Sequence, residues 1–303
     1  MNERIRGTLV VNGDPGEFDE VKYVVANEDS FYYALHKRQE VRNALASRGV
    51  YEFADMPKFG LEPKSPLDLR RLGVPDDANL LLGDGSGVAG FKAMLYQDYI
   101  TGEDQYVLAF AGTDGLRDTD DWYNNIVQGF GNGAPEQYVA AMLIGDGLSQ
   151  SDGIPAGHLI TTGHSLGGGL ASAAAVVGGI RSDTFNASWL REETLREPDG
   201  MGGFRERYPG ALARFAGAAG FIAAYYVDWD LLTFAQMRAS NVMGISPVGS
   251  RHELDGPYDA SSENFVMMKL HEMESILYGL LVTESSFGRI TIDMLGYNAY
   301  FGN

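Results

Sequence analysis

Apolar residues along the chain follow two patterns: short runs bounded by turn residues, and longer stretches in which apolar positions recur every three or four residues. The short runs predict strands at 90–98, 105–113, 157–163, 182–188 and 221–232. The longer stretches predict helices at 30–49, 120–131, 135–149, 166–178, 189–197 and from Glu272 to about Val282. Because strands alternate with helices through the centre of the chain, we expect an α/β fold with a mostly parallel sheet and helices on both faces.

Two stretches rich in proline, aspartate and glycine show neither pattern. Residues 57–88 predict irregular surface, and residues 196–210 predict an irregular insertion. No repeat or low-complexity linker divides the sequence. We therefore expect a single domain over 1–303, with 1–88 as a helical and irregular N-terminal extension packed on it. Within that extension, Ser30 is the expected N-cap of the first helix and Gly49 its expected stop.

Charge and cysteine content exclude several classes of function. The 303 residues carry a formal net charge of −18, whereas nucleic-acid binding needs clustered lysine and arginine. The same charge opposes contact with an anionic membrane surface, although it does not exclude a lipid substrate. The chain has no cysteine, which excludes disulfides, a cysteine-based zinc site and a thiol nucleophile.

Neither a signal peptide nor a membrane span is predicted. The N-terminal sequence MNERIRGTLVVNGDPGEF has no apolar stretch of the length that a signal peptide requires. No run approaches the ~20 apolar residues of a transmembrane helix. We expect a soluble protein that is cytoplasmic, or secreted by a route without a conventional signal peptide.

The sequence Gly163-His164-Ser165-Leu166-Gly167 has the form G-x-S-x-G, which marks the nucleophile of many serine hydrolases. In a chain with 39 glycines the bare pattern is weak, and a glycine turn without chemical meaning is the alternative. The context favours a nucleophile. A predicted strand precedes the motif, small residues flank the serine where the turn brings backbones together, and a helix of small residues follows.

Two motifs carry a resemblance to a known family. TGHSLGGGLASAAA, at 162–175, resembles the G-H-S-L-G-G motif of class 3 (fungal-lipase-like) lipases. VLAFAGTDGLRDTDDWYNN, at 107–125, resembles the oxyanion strand of that family, with Ala111 where arginine is frequent. The following TFNAS, at 184–188, is similar to bacterial lipase-like proteins that include predicted phospholipase effectors. The resemblance implies an α/β-hydrolase fold and hydrolysis of lipid esters without a cofactor.

A serine nucleophile needs a base and an acid, which follow it in the chain order Ser, Asp, His in this class of fold. The strand at 221–232 offers Asp228 and Asp230, and Asp230 is favoured because the residues after it resemble the step that follows the strand in the family. Of the five histidines, His271 and His252 remain candidates for the base, and His271 is favoured because it precedes the last predicted helix. The others are His36, His158 and His164, which is expected to point away from the serine.

Two backbone donors are expected to form the oxyanion hole. One is the N–H of Leu166, directly after the serine, and the other comes from Thr113, after the earlier strand. Four aspartates within DGLRDTDD, at 114–121, make a calcium site conceivable, but the spacing lacks the EF-hand pattern. Asp118 or Thr119 is the expected helix N-cap there. We expect no metal and no cofactor.

Together these features predict a serine-dependent lipase or phospholipase A-type enzyme that forms an acyl-enzyme on Ser165, with His271 as base and Asp230 as its orienting acid. The expected partners are a lipid ester and, transiently, a membrane or micelle surface. A protein inhibitor or partner stays an open possibility. Two alternatives remain: an esterase for small or polysaccharide esters on the same fold, and a catalytically silent lipase-like binding protein. Head group, chain length, sn-1 or sn-2 selectivity, oligomeric state and biological target stay open.

Overall fold

The computed structural model describes residues 8–9, 23–24, 37–52, 56–82, 88–100, 105–112, 136–234, 236, 248–256 and 270–282. The strands in these ranges are β1 Thr8–Leu9, β2 Tyr23–Val24, β3 Leu61–Pro63, β4 Ala93–Asp98, β5 Gln105–Phe110, β6 Leu159–His164, β7 Arg181–Phe185, β8 Arg196–Pro198, β9 Phe204–Glu206, β10 Ile222–Val227 and β11 Ser250–Leu254. The helices are α1 Gln39–Glu52, α2 Pro66–Arg71, α3 Asp76–Asn79, α4 Glu136–Ser149, α5 Leu166–Gly178, α6 Ala211–Ala216 and α7 Met273–Val282. Short 3₁₀ turns occur at Met56–Phe59, Glu192–Leu195 and Ala218–Gly220.

Within the described residues, seven strands form one mixed sheet in the order β11-β10-β7-β6-β5-β4-β3. The five strands from β5 to β11 in this sheet run parallel, whereas β4 is antiparallel to both of its neighbours. The predicted α/β class with a mostly parallel sheet is confirmed. Since parallel strands end at a common edge, the residues that follow β5, β6 and β10 come together there.

Helices cover both faces of the sheet. Strand β5 is buried along its whole length and divides its side chains between the two faces. Tyr106, Leu108 and Phe110 join the apolar cluster beneath α4 and α5, while Val107 and Ala109 join the cluster beneath α1 and α7. A central strand that is covered on both sides reads as a continuous apolar run, as this one does. The fold is α/β-hydrolase-like.

The first helix differs from its prediction. The pattern predicted 30–49, whereas α1 spans Gln39–Glu52 and continues through Gly49. A Cβ at Gly49 would lie 2.6 Å from Met56 Cγ, so the glycine gives room to Met56 inside a continuing helix. Ser30 lies outside the described residues.

The segment predicted as irregular surface, 57–88, contains regular structure. Its strand β3 pairs with β4 and extends the main sheet. Helix α2 begins at Pro66, where the fixed φ of proline suits the first turn, and Ser65 caps it reciprocally with Asp68. The described part of 1–88 therefore supplies an edge strand and covering helices.

Two further elements differ from the sequence pattern. The helix predicted at 189–197 is the 3₁₀ turn Glu192–Leu195 followed by β8, and the insertion predicted at 196–210 holds the antiparallel pair of β8 with β9. Asp199 accepts hydrogen bonds from Met201 N and Gly203 N, which shapes the turn between the two strands. The helix predicted at 120–131 lies outside the described residues.

Candidate active site

Ser165 occupies a strained turn between β6 and α5. Its backbone has φ 57° and ψ −127°, a left-handed conformation that non-glycine residues seldom adopt. A Cβ at Gly163 would lie 2.1 Å from the Gly167 carbonyl oxygen, and one at Gly167 would lie 2.2 Å from the Phe110 carbonyl oxygen. Only glycine fits at either position, which is the local geometry of a nucleophile elbow.

The hydroxyl of Ser165 is held at the carboxyl edge of the sheet. The residue is 4% exposed, and its Oγ has no hydrogen-bond partner among the described residues. Its backbone is fixed on both sides: the N–H donates to the Phe185 carbonyl at 3.0 Å, and its carbonyl accepts from Ser188 N at 2.9 Å. Leu166 is the first residue of α5, where backbone N–H groups have no partner within the helix.

Asp230 and His271 form a buried pair. His271 Nδ1 lies 2.5 Å from Asp230 Oδ1, and the two side chains are 1% and 0% exposed. The carboxylate also accepts from Leu232 N at 3.0 Å and Thr233 N at 2.8 Å, in the helical turn at 231–234. These backbone bonds fix the direction of the carboxylate, and the carboxylate in turn fixes the orientation of the imidazole.

The alternative acid and base lie elsewhere. Asp228 is exposed, and its Oδ1 accepts from the Trp229 backbone N–H at 2.9 Å. His252 is exposed on β11, where it contacts Ser250 Oγ at 3.1 Å and stacks on Tyr225. The structure thus pairs Asp230 with His271. Thr113, His36 and the aspartate-rich segment 114–121 lie outside the described residues.

Comparison with known proteins identifies the family. A model of the Tle-like phospholipase domain, in the phospholipase-like group, matches residues 42–258, which is well over half of the chain. The chain belongs to the Tle-like phospholipase domain family. It is 34% identical over 197 residues to an extracellular phospholipase A1 of Serratia liquefaciens. That match covers 65% of this chain and 54% of the relative, so the chain spans about half the length of the curated relative it matches.

A solved structure is also similar to this chain. The apo form of Thermogutta terrifontis esterase 2 matches 61% of this chain and 72% of that chain, with a TM-score of 0.31 and 13% sequence identity.

His164 has contacts that the sequence did not predict. Its ring is buried, and its centroid lies 4.7 Å from that of His271. Nε2 lies 2.6 Å from the His271 carbonyl oxygen, and Nδ1 lies 3.1 Å from the Tyr51 hydroxyl. Burial lowers the pKa of His164 well below the ordinary value, and the neighbouring His271 lowers it further. His164 is therefore neutral at pH 7.

Asn186 was also missed by the sequence analysis. It follows β7 with φ 41°, a conformation that asparagine tolerates better than most residues. Its Oδ1 accepts from Val227 N at 2.9 Å, and its Nδ2 donates to the carbonyls of Leu270 and His271 at 3.0 and 3.2 Å. One side chain thereby ties the ends of β7 and β10 to the backbone of the His271 segment. Asn186 lies inside the strand predicted at 182–188, where asparagine is disfavoured, and that mismatch was the available signal.

The described residues contain neither a membrane-spanning helix nor a metal-binding cluster. None of the helices there combines the length and the apolar character needed to cross a membrane. In the same ranges, no cluster of three or more histidine, aspartate or glutamate side chains is arranged to hold a metal ion.

Proposed function

We propose that this protein hydrolyses carboxylic esters of lipids, as a phospholipase A-type enzyme, through an acyl-enzyme on Ser165. The observation that carries the proposal is the strained elbow at Ser165 on the same sheet edge as the buried Asp230–His271 pair. A serine hydroxyl becomes an effective nucleophile only with a base beside it and an acid that orients the base. The chain supplies all three groups in the order typical of this fold.

In the proposed reaction, His271 Nε2 takes the proton of Ser165 Oγ as the oxygen attacks the ester carbonyl. Asp230 holds Nδ1–H, so that Nε2 is the basic nitrogen, and stabilises the imidazolium that forms. The tetrahedral intermediate collapses to the acyl-enzyme, and the imidazolium gives its proton to the leaving alcohol. Water then repeats the sequence and releases the fatty acid. We assign the oxyanion donors to the N–H groups of Leu166 and Thr113.

Support for a lipid substrate comes from the family and the relative. The chain belongs to a phospholipase domain family, and the Serratia relative is named as a phospholipase A1. The resemblance of the two sequence motifs to class 3 lipases points the same way. A lipid substrate requires transient contact with a membrane or micelle, and we include that contact in the proposal.

A chain-length series tests the substrate class. Hydrolysis rates are measured for the native protein and for Ser165→Ala. The substrates are esters from acetate to long-chain acyl groups, and phospholipid vesicles. Detergent is added in an amount sufficient to open any cover over the site. We expect rates to rise with chain length, because each buried methylene adds about 0.8 kcal/mol to binding. Free fatty acid should be released from vesicles by the native protein alone. A rate that peaks at acetate or butyrate, with phospholipid untouched, would support the small-ester alternative instead.

A further inference from the structure

We propose that His164 and Tyr51 are positioning residues, joined in a hydrogen-bonded series that connects the His271 segment to the Gly112 segment beside Ser165. The inference rests on the proposed function of that serine. The series runs from Gly112 N–H to the Tyr51 hydroxyl at 2.9 Å, on to His164 Nδ1 at 3.1 Å, and from His164 Nε2 to the His271 carbonyl oxygen at 2.6 Å.

The two ends of this series fix the direction of every hydrogen bond in it. A backbone N–H can only donate, so the Tyr51 oxygen accepts from Gly112. A backbone carbonyl can only accept, so His164 carries its proton on Nε2 and donates it to His271. In a neutral imidazole the other nitrogen is then an acceptor, and the Tyr51 hydroxyl donates its proton to His164 Nδ1 at 3.1 Å, which is closer than the His164 carbonyl oxygen at 3.4 Å. The Nε2–H tautomer of His164 is therefore required.

The surroundings keep His164 in this neutral state. Its side chain is buried, and the His271 ring beside it becomes an imidazolium during the proposed reaction. Two adjacent imidazolium ions with little access to water would repel each other strongly. Because His164 stays neutral, the proton of Ser165 has a single destination, and His164 Nδ1 remains an acceptor for the Tyr51 hydroxyl.

One end of this hydrogen-bonded series lies beside Ser165. A Cβ at Gly112 would lie 3.2 Å from Ser165 Cβ and 2.9 Å from the His164 carbonyl oxygen, so the Gly112 backbone packs directly against the elbow. Gly112 immediately precedes Thr113, the assigned oxyanion donor. The other end of the series is the backbone carbonyl of His271, whose imidazole is the proposed base. Tyr51 belongs to α1, which is fixed on β6 by the bond between Ser47 Oγ and Thr162 Oγ1 at 2.7 Å. Through the Tyr51 hydroxyl, helix α1 thus contacts both Gly112, next to the assigned oxyanion donor, and His164, which binds the His271 carbonyl.

Three substitutions separate positioning from general stability. Tyr51→Phe removes only the hydroxyl, His164→Leu removes both ring nitrogens, and His164→Gln keeps a donor near the place of Nε2. We expect kcat to fall about 10- to 100-fold in Tyr51→Phe and His164→Leu, the size of effect that a displacement of about 1 Å produces, while KM changes little. His164→Gln should recover part of the loss. Tyr99→Phe, at an exposed tyrosine, is the matched control and should match the native rate.

Each rate is divided by the number of sites that a fluorophosphonate probe labels at completion, so that loss of folded protein does not count as loss of rate. A per-site kcat within twofold of the native value for both Tyr51→Phe and His164→Leu would overturn the inference. Nitrogen-15 NMR of histidine in the native protein gives a test that needs no variant. We expect His164 to be protonated at Nε2 and unprotonated at Nδ1, and the opposite tautomer would overturn the inference. If the native protein itself neither reacts with the probe nor hydrolyses esters, the proposed function fails, whatever the tautomer of His164.

Discussion

At the scale of single residues, the proposed mechanism makes the activation of Ser165 depend on the orientation of the His271 imidazole. Asp230→Asn keeps the shape of the acid but replaces an acceptor with an amide whose N–H₂ favours the wrong tautomer of His271. We expect kcat to fall by about three to four powers of ten at pH 7. Asp228→Asn, two residues away and exposed, should retain nearly full activity in the same assay. Equal losses in the two variants would contradict the assignment of Asp230.

A second carboxylate, remote from the proposed chemistry, governs a pH dependence of stability. Burial raises the pKa of Asp183 to about 6, and the charge of Glu40 contributes to the rise, while a hydrogen bond from Asn43 opposes it. The folded protein thus keeps this proton up to about pH 6, whereas the unfolded chain releases it near pH 3.8. Folding takes up a proton between these values, so this residue makes stability fall as the pH rises through that window, and the loss persists above it.

Asp183→Asn should remove that pH-dependent loss while keeping an acceptor for the Asn43 amide, which lies 2.6 Å from the carboxylate. We expect the variant to exceed the native free energy of unfolding by about 1–3 kcal/mol at pH 8, with a much smaller difference at pH 4. Urea unfolding at both pH values measures this. Asp152→Asn, at an exposed position, is the control and should show no such pH dependence. A native protein that gains stability relative to Asp183→Asn as the pH rises would contradict the assignment.

A functional residue could be predicted from the sequence where its neighbours in the chain form a recognisable pattern. Ser165 could be singled out because its flanking glycines and the strand and helix around it form one continuous stretch. The side chains that contact His164 and the His271 segment could not be found in this way, because they meet only in the fold. Tyr51 and His164 are 113 positions apart, and Asn186 and His271 are 85 positions apart. His164 was expected to point away from Ser165, and the contact of its ring with His271, 107 positions away, could not be expected from the turn alone.

At the scale of elements, the elbow turn depends on the absence of side chains on its flanks. A Cβ at Gly163 would meet the Gly167 carbonyl carbon at 2.3 Å and Gly168 N at 2.8 Å, and these backbone atoms belong to the first turn of α5 and cannot move aside. We expect Gly163→Ala to lower the free energy of unfolding by about 3 kcal/mol or more. Gly220→Ala, where a Cβ would meet nothing within 4 Å, should change it by less than about 0.5 kcal/mol. Similar unfolding midpoints for the two variants would contradict this geometry.

Elements with a strong pattern were predicted closely, and those set by tertiary contact were not. Helix α5 matches its predicted range, because its small residues and bounding glycines are local signals. Helix α1 continues past Gly49 because Met56 packs against that glycine, a contact that no local rule supplies. Helix α2 was missed because its proline was taken as a loop signal, although Ser65 and Asp68 form a capping box around it.

At the scale of the whole molecule, we expect the net charge to govern the proposed contact with a lipid surface. The formal net charge of −18 repels an anionic bilayer at low ionic strength. We expect hydrolysis of zwitterionic vesicles to exceed that of anionic vesicles at about 0.01 M salt, and the gap to shrink at about 1 M, where the screening length falls to about 3 Å. Initial rates on the two vesicle types across a salt series measure this. Faster hydrolysis of the anionic vesicles at low salt would contradict the expectation.

The fold class could be predicted from the sequence, but the order of the strands in the sheet could not. Alternating strands and helices predicted the mostly parallel sheet, since such connections place helices on its faces. The order of the strands was not predictable. Strands β7 and β10 are neighbours, although the β8–β9 pair and α6 lie between them in the chain. That adjacency brings the end of β10, and Asp230 beyond it, to the same edge as Ser165.

The most direct test of the central claim is whether Ser165 is an activated nucleophile. The native protein is treated with a fluorophosphonate probe, which reacts covalently with activated serines, and the labelled peptide is mapped. Ser165→Ala, shown to be folded by its unfolding transition, is treated in parallel. We predict a single label on Ser165 in the native protein, none in the variant, and a loss of ester hydrolysis by several powers of ten in the variant. A folded Ser165→Ala protein that still takes the label, or that hydrolyses a short-chain ester at a near-native rate, would contradict the claim.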